Sequence, residues 1–462
     1  MATEKLDTYN KALAINLDGT IFGTFAEIGA GQETSRWFLR VGAAAGTVAK
    51  TVSAYDKTVS DVLYGAGERY VSKQRLESML TAEWSLLQEQ LVDRLSSTRT
   101  FVFANTVSAR NYAGTNQCHG WIGLRFLRAP GSEVNEILLH VNLFDRTNPL
   151  QQEAVGILGV NLIYASYFTL EDHHRFLSTL GQDLGLERIQ IDFIETKGRF
   201  NDEWNPKHLH IALVTDGLSE GVVLPHAGDY RPMNEAFYKS SVVIEPGRFE
   251  ERERIHTEML AAALELARSK QTMAARGVIG AFCLSAAGDQ AVDAAAPLLS
   301  PSELSVRAND LLGEGFDVFL TVHPELYKIS SLISGFTKEQ VRFVIGISVL
   351  VKVLAASYAE LYGHVLEGLS RLFTKDVRVY VYPMALEVLR TKLALERFAG
   401  WKINDTDGLL EADGIAPPAP LAHLYAYLLA SGLVEPLRLV KDKTRNESTL
   451  QASVSEISSI TR

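Results

Sequence analysis

Apolar and polar residues alternate over residues 101–144, in three runs with the period of two expected of strands that bury one face. In the second run this period places His119, Trp121 and Arg125 on one face and an apolar set on the other. The third run alternates in the same way. We therefore predict three strands with one apolar face and one face that carries polar side chains.

A long apolar helix is predicted directly after the third strand. Asn148 and Pro149 are residue types typical of a helix N-cap and first helical position, and the apolar run 154–168 follows them. Asp145 lies between the end of the strand and the start of this helix. Open α/β sheets place ligand sites at such strand ends, which makes Asp145 a candidate site residue.

Earlier parts of the chain predict one helix and one strand pair. Leucines recur at helical spacing from Leu76 to Leu95 with charged residues between them, which predicts an amphipathic helix. Residues 11–28 have short apolar runs on either side of Asp18 and Gly19. This pattern predicts a hairpin that turns at those two residues.

The second half of the chain alternates between helical and strand-like segments. Ahead of one helix, Ser300, Pro301 and Glu303 form a capping box with proline at the first helical position. Alternation of this kind is typical of sheets flanked by helices. We therefore predict a mixed α/β fold.

Two domains are predicted, because prolines and glycines cluster shortly before residue 250. A mixed α/β domain would cover residues 1–250 and carry the candidate site, and a β/α domain would cover residues 251–440. Residues 441–462 are polar and low in aromatic side chains, which predicts a flexible tail.

Composition narrows the class of protein. The 462 residues carry a formal charge of -10 and have a pI near 5.6, which argues against a nucleic-acid partner because phosphate backbones bind basic surfaces. Cys118 and Cys283 are the only cysteines, so a disulfide framework is excluded and a reducing compartment is expected. The first residues show no signal-peptide pattern, and the apolar runs are too short to span a bilayer. We expect a cytoplasmic protein with no membrane partner.

Glu27 begins a short glycine-containing segment after the first apolar run. Gly29 and Gly31 have the spacing that starts a dinucleotide-binding fingerprint, but Thr34 stands where the third glycine belongs. A tight turn is therefore favoured over a phosphate-binding loop.

Two other residue pairs resemble catalytic pairs but have the wrong spacing on a regular strand. Cys118 and His119 are neighbours, so their side chains point to opposite faces. Asp192 and Glu195 are three positions apart and also point to opposite faces. A site shared by these two carboxylates would need a β-bulge.

The candidate site consists of polar side chains in or beside the strands of the first domain. Buried polar groups must be paired or used, and six residues form this set: Glu27, Asn105, Arg110, His119, Arg125 and Asp145. Arg110 or Arg125 would hold the anionic group of a small molecule. His119 would transfer protons, and Asp145 would orient it or bind a hydroxyl. No metal-ligand spacing is present, and the sequence indicates no particular cofactor.

Two functions remain open. The first is a cytoplasmic enzyme or small-molecule binding protein that uses this site. The second is a non-catalytic, self-assembling structural protein in which the same polar residues form an internal hydrogen-bond network. We expect a homo-oligomer, since large acidic α/β chains commonly form closed homo-oligomers.

Several segments resemble a family of uncharacterised bacterial cytoplasmic proteins of about this length. They are FGTFAEIGAGQE, RWFLRVGAAAGTVAK, SAYD, FANTVSARN, CHGW, LQQEA, GILGVNLIYA and HLYAYLL. The resemblance covers nearly the whole chain and is densest before Phe168. Members of the family often bear the names "TonB-dependent receptor" or "nicotinate-nucleotide adenylyltransferase". Neither name fits these residues, because an export signal with many barrel strands and a His-x-x-His phosphate motif are both missing. The resemblance therefore implies no catalytic residues.

Overall fold

A computed structural model gives the fold of the greater part of the chain. It describes residues 6–91, 94, 96–250, 254–270, 277–287, 298–355, 361, 363–374, 376–389, 398–404, 408–419 and 421–438. The predicted tail at 441–462 lies outside these residues. Over the described residues, sheets are flanked by helices, which confirms the predicted mixed α/β class.

The chain divides into two compact units. The first consists of Met1–Val222 together with Ser300–Ser305, and the second consists of Val223–Leu299 together with Val306–Arg462. This division lies before the predicted boundary at residue 250. The reason is that the second sheet already uses the strand Ser241–Gly247. The cluster of prolines and glycines therefore surrounds a strand of the second unit and does not mark the end of the first.

The first unit is built on a six-stranded mixed sheet. Its strands are β1 (Ile21–Gly29), β2 (Val48–Ala54), β3 (Arg99–Ser108), β4 (His119–Leu127), β5 (Val134–Leu143) and β6 (Ile189–Lys197). They lie in the order β2-β1-β3-β4-β5-β6. β1 is parallel to β2 and β3, and the neighbours from β3 to β6 are antiparallel. The three strands predicted over residues 101–144 are therefore β3, β4 and β5, which are adjacent.

The helices of this unit are α1 (Thr8–Leu17), α2 (Thr34–Val41), α3 (Lys57–Tyr64), α4 (Lys73–Gln90), α5 (Asn148–Phe168), α6 (His173–Leu180) and α7 (Pro206–Thr215). The predicted hairpin over residues 11–28 is wrong, because α1 takes the place of its first strand. Asp7 caps α1 by accepting a hydrogen bond from Asn10 N at 2.8 Å, and Asp18 then turns the chain into β1. A short apolar run fits a helix or a strand equally well, and here the cap decides.

Helices α4 and α5 cover opposite faces of the sheet. Phe101 and Phe126 face α5, where Tyr167 meets their rings at centroid distances of 6.4 and 5.8 Å. On the other face, a Cβ added to Gly123 would lie 2.9 Å from Leu80 Cδ1, so glycine lets α4 approach β4 closely. Leu80 is fully buried there, which stabilises the contact by about 2 kcal/mol. Odd-numbered residues of β4 face α4, which confirms the predicted division of this strand into two faces.

The second unit is built on a largely parallel sheet. The strands of the second half are β7 (Gly221–Leu224), β8 (Ser241–Gly247), β9 (Val278–Ser285), β10 (Asp317–Thr321), β11 (Val341–Gly346), β12 (Val377–Tyr382), β13 (Met384–Ala385), β14 (Lys402–Ile403), β15 (Leu409–Leu410), β16 (Ile415–Ala416) and β17 (Val434–Pro436). Seven of them form the sheet β17-β12-β11-β8-β9-β10-β7. The pairings from β17 through to β10 are all parallel.

Helices alternate with these strands as predicted. They are α8 (Met233–Ala236), α9 (Arg254–Ser269), α10 (Pro301–Leu312), α11 (Leu326–Ser334), α12 (Ile347–Ala355), α13 (His364–Leu372), α14 (Leu386–Leu389) and α15 (Leu421–Ala430). The capping box at the start of α10 is confirmed, because Ser300 Oγ accepts from Glu303 N at 3.3 Å and Glu303 Oε2 accepts from Ser300 N at 3.2 Å. None of the described helices is both long enough and apolar enough to cross a membrane.

Candidate functional site

Two histidines and an aspartate form a hydrogen-bonded chain on the α4 face of the first sheet. His119 Nδ1 lies 3.0 Å from His140 Nε2, and His140 Nδ1 lies 2.6 Å from Asp192 Oδ1. The three residues come from the adjacent strands β4, β5 and β6. His140 and Asp192 are fully buried, whereas His119 is partly exposed at the first position of its strand. This chain of hydrogen bonds thus leads from the solvent-accessible imidazole of His119 to the buried carboxylate of Asp192.

A β-bulge places Asp192 in this chain. His140 pairs with Phe193 and Val141 pairs with Ile191, so Asp192 is an extra residue in β6. The bulge turns its side chain toward the face that His140 shares. In a regular strand Asp192 would point to the other face, but β6 is irregular at this residue. Neither His140 nor Asp192 was in the predicted site, although each is a polar residue in an apolar strand, which is the signal the sequence offers.

The hydrogen bond to Asp192 fixes one proton. A carboxylate only accepts, so His140 Nδ1 donates to Asp192. In the tautomer in which His140 Nε2 accepts from His119 Nδ1, His119 Nε2 is the unprotonated nitrogen. Burial, the largest cause, lowers the pKa of His119 to about 4, and the charge of Asp192 opposes that effect. His119 is therefore neutral at pH 7 and carries a lone pair on Nε2, the form that a general base requires.

Aromatic rings enclose the inner part of the chain. Trp121 lies 5.0 Å from the ring of His140 and 5.3 Å from the ring of Phe193. The ring of His210, on α7, lies 5.5 Å from the ring of Phe193, and burial lowers the pKa of His210 to about 4. These walls keep water from the inner hydrogen bonds, and such a low local dielectric strengthens them.

Arg125 lies toward the other end of β4 from His119. The two residues are six positions apart on one face of the strand, which corresponds to about 20 Å at roughly 3.3 Å per residue. Arg125 Nε donates to Glu136 Oε2 at 2.7 Å, and its guanidinium lies 3.4 Å from Thr81 Oγ1 of α4. The structure therefore does not bring His119 and Arg125 into one site.

An ion-pair network surrounds Arg125. It joins Lys73, Arg125 and Lys197 to Glu77, Glu136 and Glu195 at N–O distances of 2.5–3.3 Å. Three cations are thus matched by three carboxylates. Part of the network lines an open cleft of about 400 Å³, bordered by Glu77, Thr81, Arg125, Val134, Glu136, Lys197 and Gly198. Since the charge of Arg125 is already balanced, its contribution here is that of a paired structural cation.

Glu27 and Asn105 lie together on the α5 face, opposite the histidine chain. Glu27 accepts hydrogen bonds from the backbone N–H groups of Thr34 at 3.0 Å and Ser35 at 3.2 Å, at the start of α2. Asn105 Nδ2 donates to Glu27 and to Gly31 O. Burial raises the pKa of Glu27, against the effect of these hydrogen bonds. The Glu27 carboxylate thus occupies the N–H groups at the start of α2 that a phosphate would need. This agrees with the prediction of a tight turn and not a phosphate-binding loop.

Arg110 and Asp145 are linked through Gln151 of α5. Gln151 Oε1 accepts from Arg110 N at 2.7 Å, and Gln151 Nε2 donates to Asp145 O at 2.8 Å. The Asp145 carboxylate accepts from Arg188 Nε at 2.9 Å. Asp145 is thus paired with Arg188, and the side chains hydrogen bonded in series with His119 are those of His140 and Asp192.

The cysteines and acidic side chains offer no metal centre within the part of the chain that the structure describes. No group of three or more His, Cys, Asp or Glu side chains there is arranged to hold an ion. Cys118 and Cys283 are both free thiols. Burial raises the pKa of Cys283, so that thiol stays protonated.

Comparisons with known proteins give only weak similarities. No protein-family model and no curated protein matches the sequence. Among solved structures, the competence/damage inducible protein CihA from Agrobacterium tumefaciens is 14% identical, with a TM-score of 0.27. The match covers 36% of this chain and 98% of the CihA chain. A competence-damaged protein (CinA) superfamily protein from Enterobacter cloacae is 15% identical, with a TM-score of 0.26. That match covers 36% of this chain and 93% of the Enterobacter cloacae chain. Similarity at this level assigns no function to the chain.

Proposed function

We propose that the first unit is a cytoplasmic enzyme that moves a proton to or from a small anionic substrate, with His119 as its general base. The observation that carries this proposal is the unbroken chain from His119 through His140 to the buried Asp192. Chains of this kind hold an imidazole in one tautomer and stabilise the imidazolium that forms when it gains a proton.

The proposed proton transfer begins at His119 Nε2. This nitrogen removes a proton from the substrate or from a water molecule, and His119 becomes an imidazolium. Its Nδ1 proton is already hydrogen bonded to His140 Nε2, so the positive charge is shared along the chain toward Asp192. The pKa of His119 near 4 keeps the resting side chain neutral. Asp192 offsets part of the cost of charging it.

The preference for an anionic substrate rests on Arg69. Burial is the main cause of the low pKa of His119, and the positive charge of Arg69 is the smallest of the four effects on it and acts in the same direction. A guanidinium beside a general base favours a carboxylate or phosphate on the bound molecule. Arg125 would not serve this purpose at His119, because it lies about 20 Å away at roughly 3.3 Å per residue and is paired with Glu136.

The proposal can be tested with a panel of carboxylated and phosphorylated metabolites in deuterated water. Proton abstraction from carbon incorporates deuterium and hydrolysis releases product, and NMR detects both. We expect His119→Gln to abolish the reaction and Asp192→Asn to slow it by about 10²-fold or more.

His174→Gln is the matched control, because His174 also contacts an aspartate but lies exposed on the surface of the same unit. It should react like the parent protein. If the parent changes no compound in the panel, or if His119→Gln retains the activity, the proposal is wrong.

The alternative of a self-assembling structural protein draws on one surface feature. Tyr55, Val59, Val62 and Leu63 are exposed side by side on and just before α3, with Tyr55 and Val62 80% and 81% exposed. Apolar side chains clustered on a surface commonly mark a protein contact. Light scattering tests this reading: a mass that falls toward 51 kDa in the Val62→Glu variant, but not in the parent, would support assembly through α3.

A further inference from the structure

The second sheet reverses its order of strands at its centre. From β8 the chain moves outward through β9 to β10, and it then returns to the other side of β8 with β11 and moves outward through β12 to β17. This is the order 3-2-1-4-5-6 of doubly wound nucleotide-binding sheets, with β7 added beyond β10. In such sheets a crevice opens at the carboxyl ends of the two strands where the order reverses, which here are β8 and β11.

The backbone pairing shows that β8 and β11 separate at this position. β11 pairs with β8 from Val341 to Phe343, opposite Val242 to Ile244, and the pairing ends there. Beyond that point β11 continues to pair with β12 as far as Gly346, while β8 continues to pair with β9 as far as Gly247. The two strand ends therefore part. A Cβ added to Gly346, the last residue of β11, would meet nothing within 4 Å, so the space beside that residue is open.

Three side chains with exchangeable protons lie at this end of the sheet. Glu245, near the end of β8, is 3% exposed, and its Oε1 lies 2.5 Å from Nδ1 of His256 on α9, which is 30% exposed. Glu245 Oε2 is buried and has no hydrogen-bond partner among the described residues. Tyr382 ends β12. Burial raises its pKa to about 12, and the charges of Glu258 and Glu245 act in the same direction, so its hydroxyl keeps its proton at pH 7.

We propose that the opening between β8 and β11 is a second ligand site, which binds a neutral molecule of the nucleoside class through its sugar hydroxyls. Glu245 Oε2 would accept a hydrogen bond from a hydroxyl while His256 holds the other carboxylate oxygen, and the Tyr382 hydroxyl would donate one. This site belongs to the second unit and is independent of the proton-transfer function proposed for the first.

The loop after β8 argues for a nucleoside and against a nucleotide phosphate. The sequence Glu245-Pro246-Gly247-Arg248-Phe249 lacks the glycine spacing that lets a backbone cradle a pyrophosphate. The ring of Phe249 lies 3.0 Å from the position of a Cβ on Gly247, so an aromatic side chain already fills the space beside that glycine. The carboxylates nearby would also repel a phosphate. A neutral polyhydroxyl ligand meets neither obstacle.

Adenosine is the probe for the experiment, with the full chain as the protein. Saturation-transfer NMR and calorimetry should detect adenosine binding with a Kd of about 1 mM or tighter, which corresponds to roughly 4 kcal/mol. AMP, which adds a phosphate, and 2′,3′-dideoxyadenosine, which removes the vicinal hydroxyls, should each bind at least about tenfold more weakly. No adenosine binding, or tighter binding of AMP, would overturn the proposal.

Variants of the site then locate the binding. Glu245→Gln should weaken adenosine binding by about tenfold or more, and Tyr382→Phe provides a second test at a partly exposed residue if the glutamate variant does not fold. His226→Gln is the control, because His226 pairs with Asp317 at the amino end of β10, away from the strand carboxyl ends. Equal binding by Tyr382→Phe and the parent, or equal losses in Tyr382→Phe and His226→Gln, would also overturn it.

Discussion

The ion-pair network around Arg125 leads to a quantitative prediction for Arg125→Met. Methionine keeps much of the aliphatic volume of the arginine side chain while it removes the charge and the donors. Arg125 and Glu136 are 18% and 6% exposed, and removal of one partner of a buried pair costs on the order of 3–5 kcal/mol. Lys197 remains 3.3 Å from the Glu136 carboxylate, so that charge is not left alone. We therefore expect a loss of about 2 kcal/mol, below that range.

Urea unfolding of the first unit, followed by tryptophan fluorescence, measures this loss. Arg128→Met is the matched control: Arg128 pairs with Glu171 near the end of the same strand, but those side chains are 36% and 91% exposed. Such surface pairs contribute about 1 kcal/mol or less. If the two variants lose the same free energy of unfolding, the network around Arg125 contributes no more to stability than an exposed ion pair. Arg125→Met should also leave the deuterium-exchange reaction intact, since His119 lies far along the strand.

Three further predictions concern His119, Glu245 and Gly159. Burial lowers the pKa of His119 to about 4 from 6.5. Its contribution to stability is therefore lost as pH falls from about 6.5 to 4, and His119→Gln should flatten that slope. Burial raises the pKa of Glu245 to about 7 from 4.5. Its contribution to the stability of the fold is therefore lost as pH rises between those values, and the melting temperature of Glu245→Gln should lack that decline with pH. Gly159→Ala should destabilise the first unit by more than about 2 kcal/mol in urea unfolding, because its Cβ would lie 2.2 Å from Thr34 Oγ1, whereas Gly46→Ala has open space and should be nearly neutral.

Features that depend on a few neighbouring residues could be predicted from the sequence. The two faces of β4 follow from a period of two, which requires only that the strand be regular. The capping box at Ser300 and Glu303 follows from residue types three positions apart. The start of α5 was predicted to within one residue by Asn148 and Pro149. Local sterics and local hydrogen bonds determine all three.

Features that depend on partners distant in sequence could not be predicted. Asp145 pairs with Arg188, which is 43 positions later, and no local pattern distinguishes that partner from His119. His140 meets Asp192 only because β5 and β6 are neighbours and because β6 contains an extra residue at that point. The polar character of both residues was visible in the sequence. Their contact required the strand order and the bulge, which the period of a strand does not encode.

The bulge itself provides the sharpest test of the histidine chain. If Asp192 is deleted, Ile191 and Phe193 become neighbours and can keep their pairings with Val141 and His140, so both keep their faces in a regular ladder. The loss should then be about 1–3 kcal/mol, from the buried His140 Nδ1 left without its acceptor.

Deletion of Ile191 instead removes a side chain that is 2% exposed and shifts the carboxylate of Asp192 toward the apolar face that Ile191 occupied. It should cost at least about 2–5 kcal/mol from the lost isoleucine alone, and urea unfolding compares the two deletions. Equal destabilisation would show that the extra residue is needed for the fold. A stable Asp192 deletion with no proton-transfer activity would show that it is kept for the chemistry of His119.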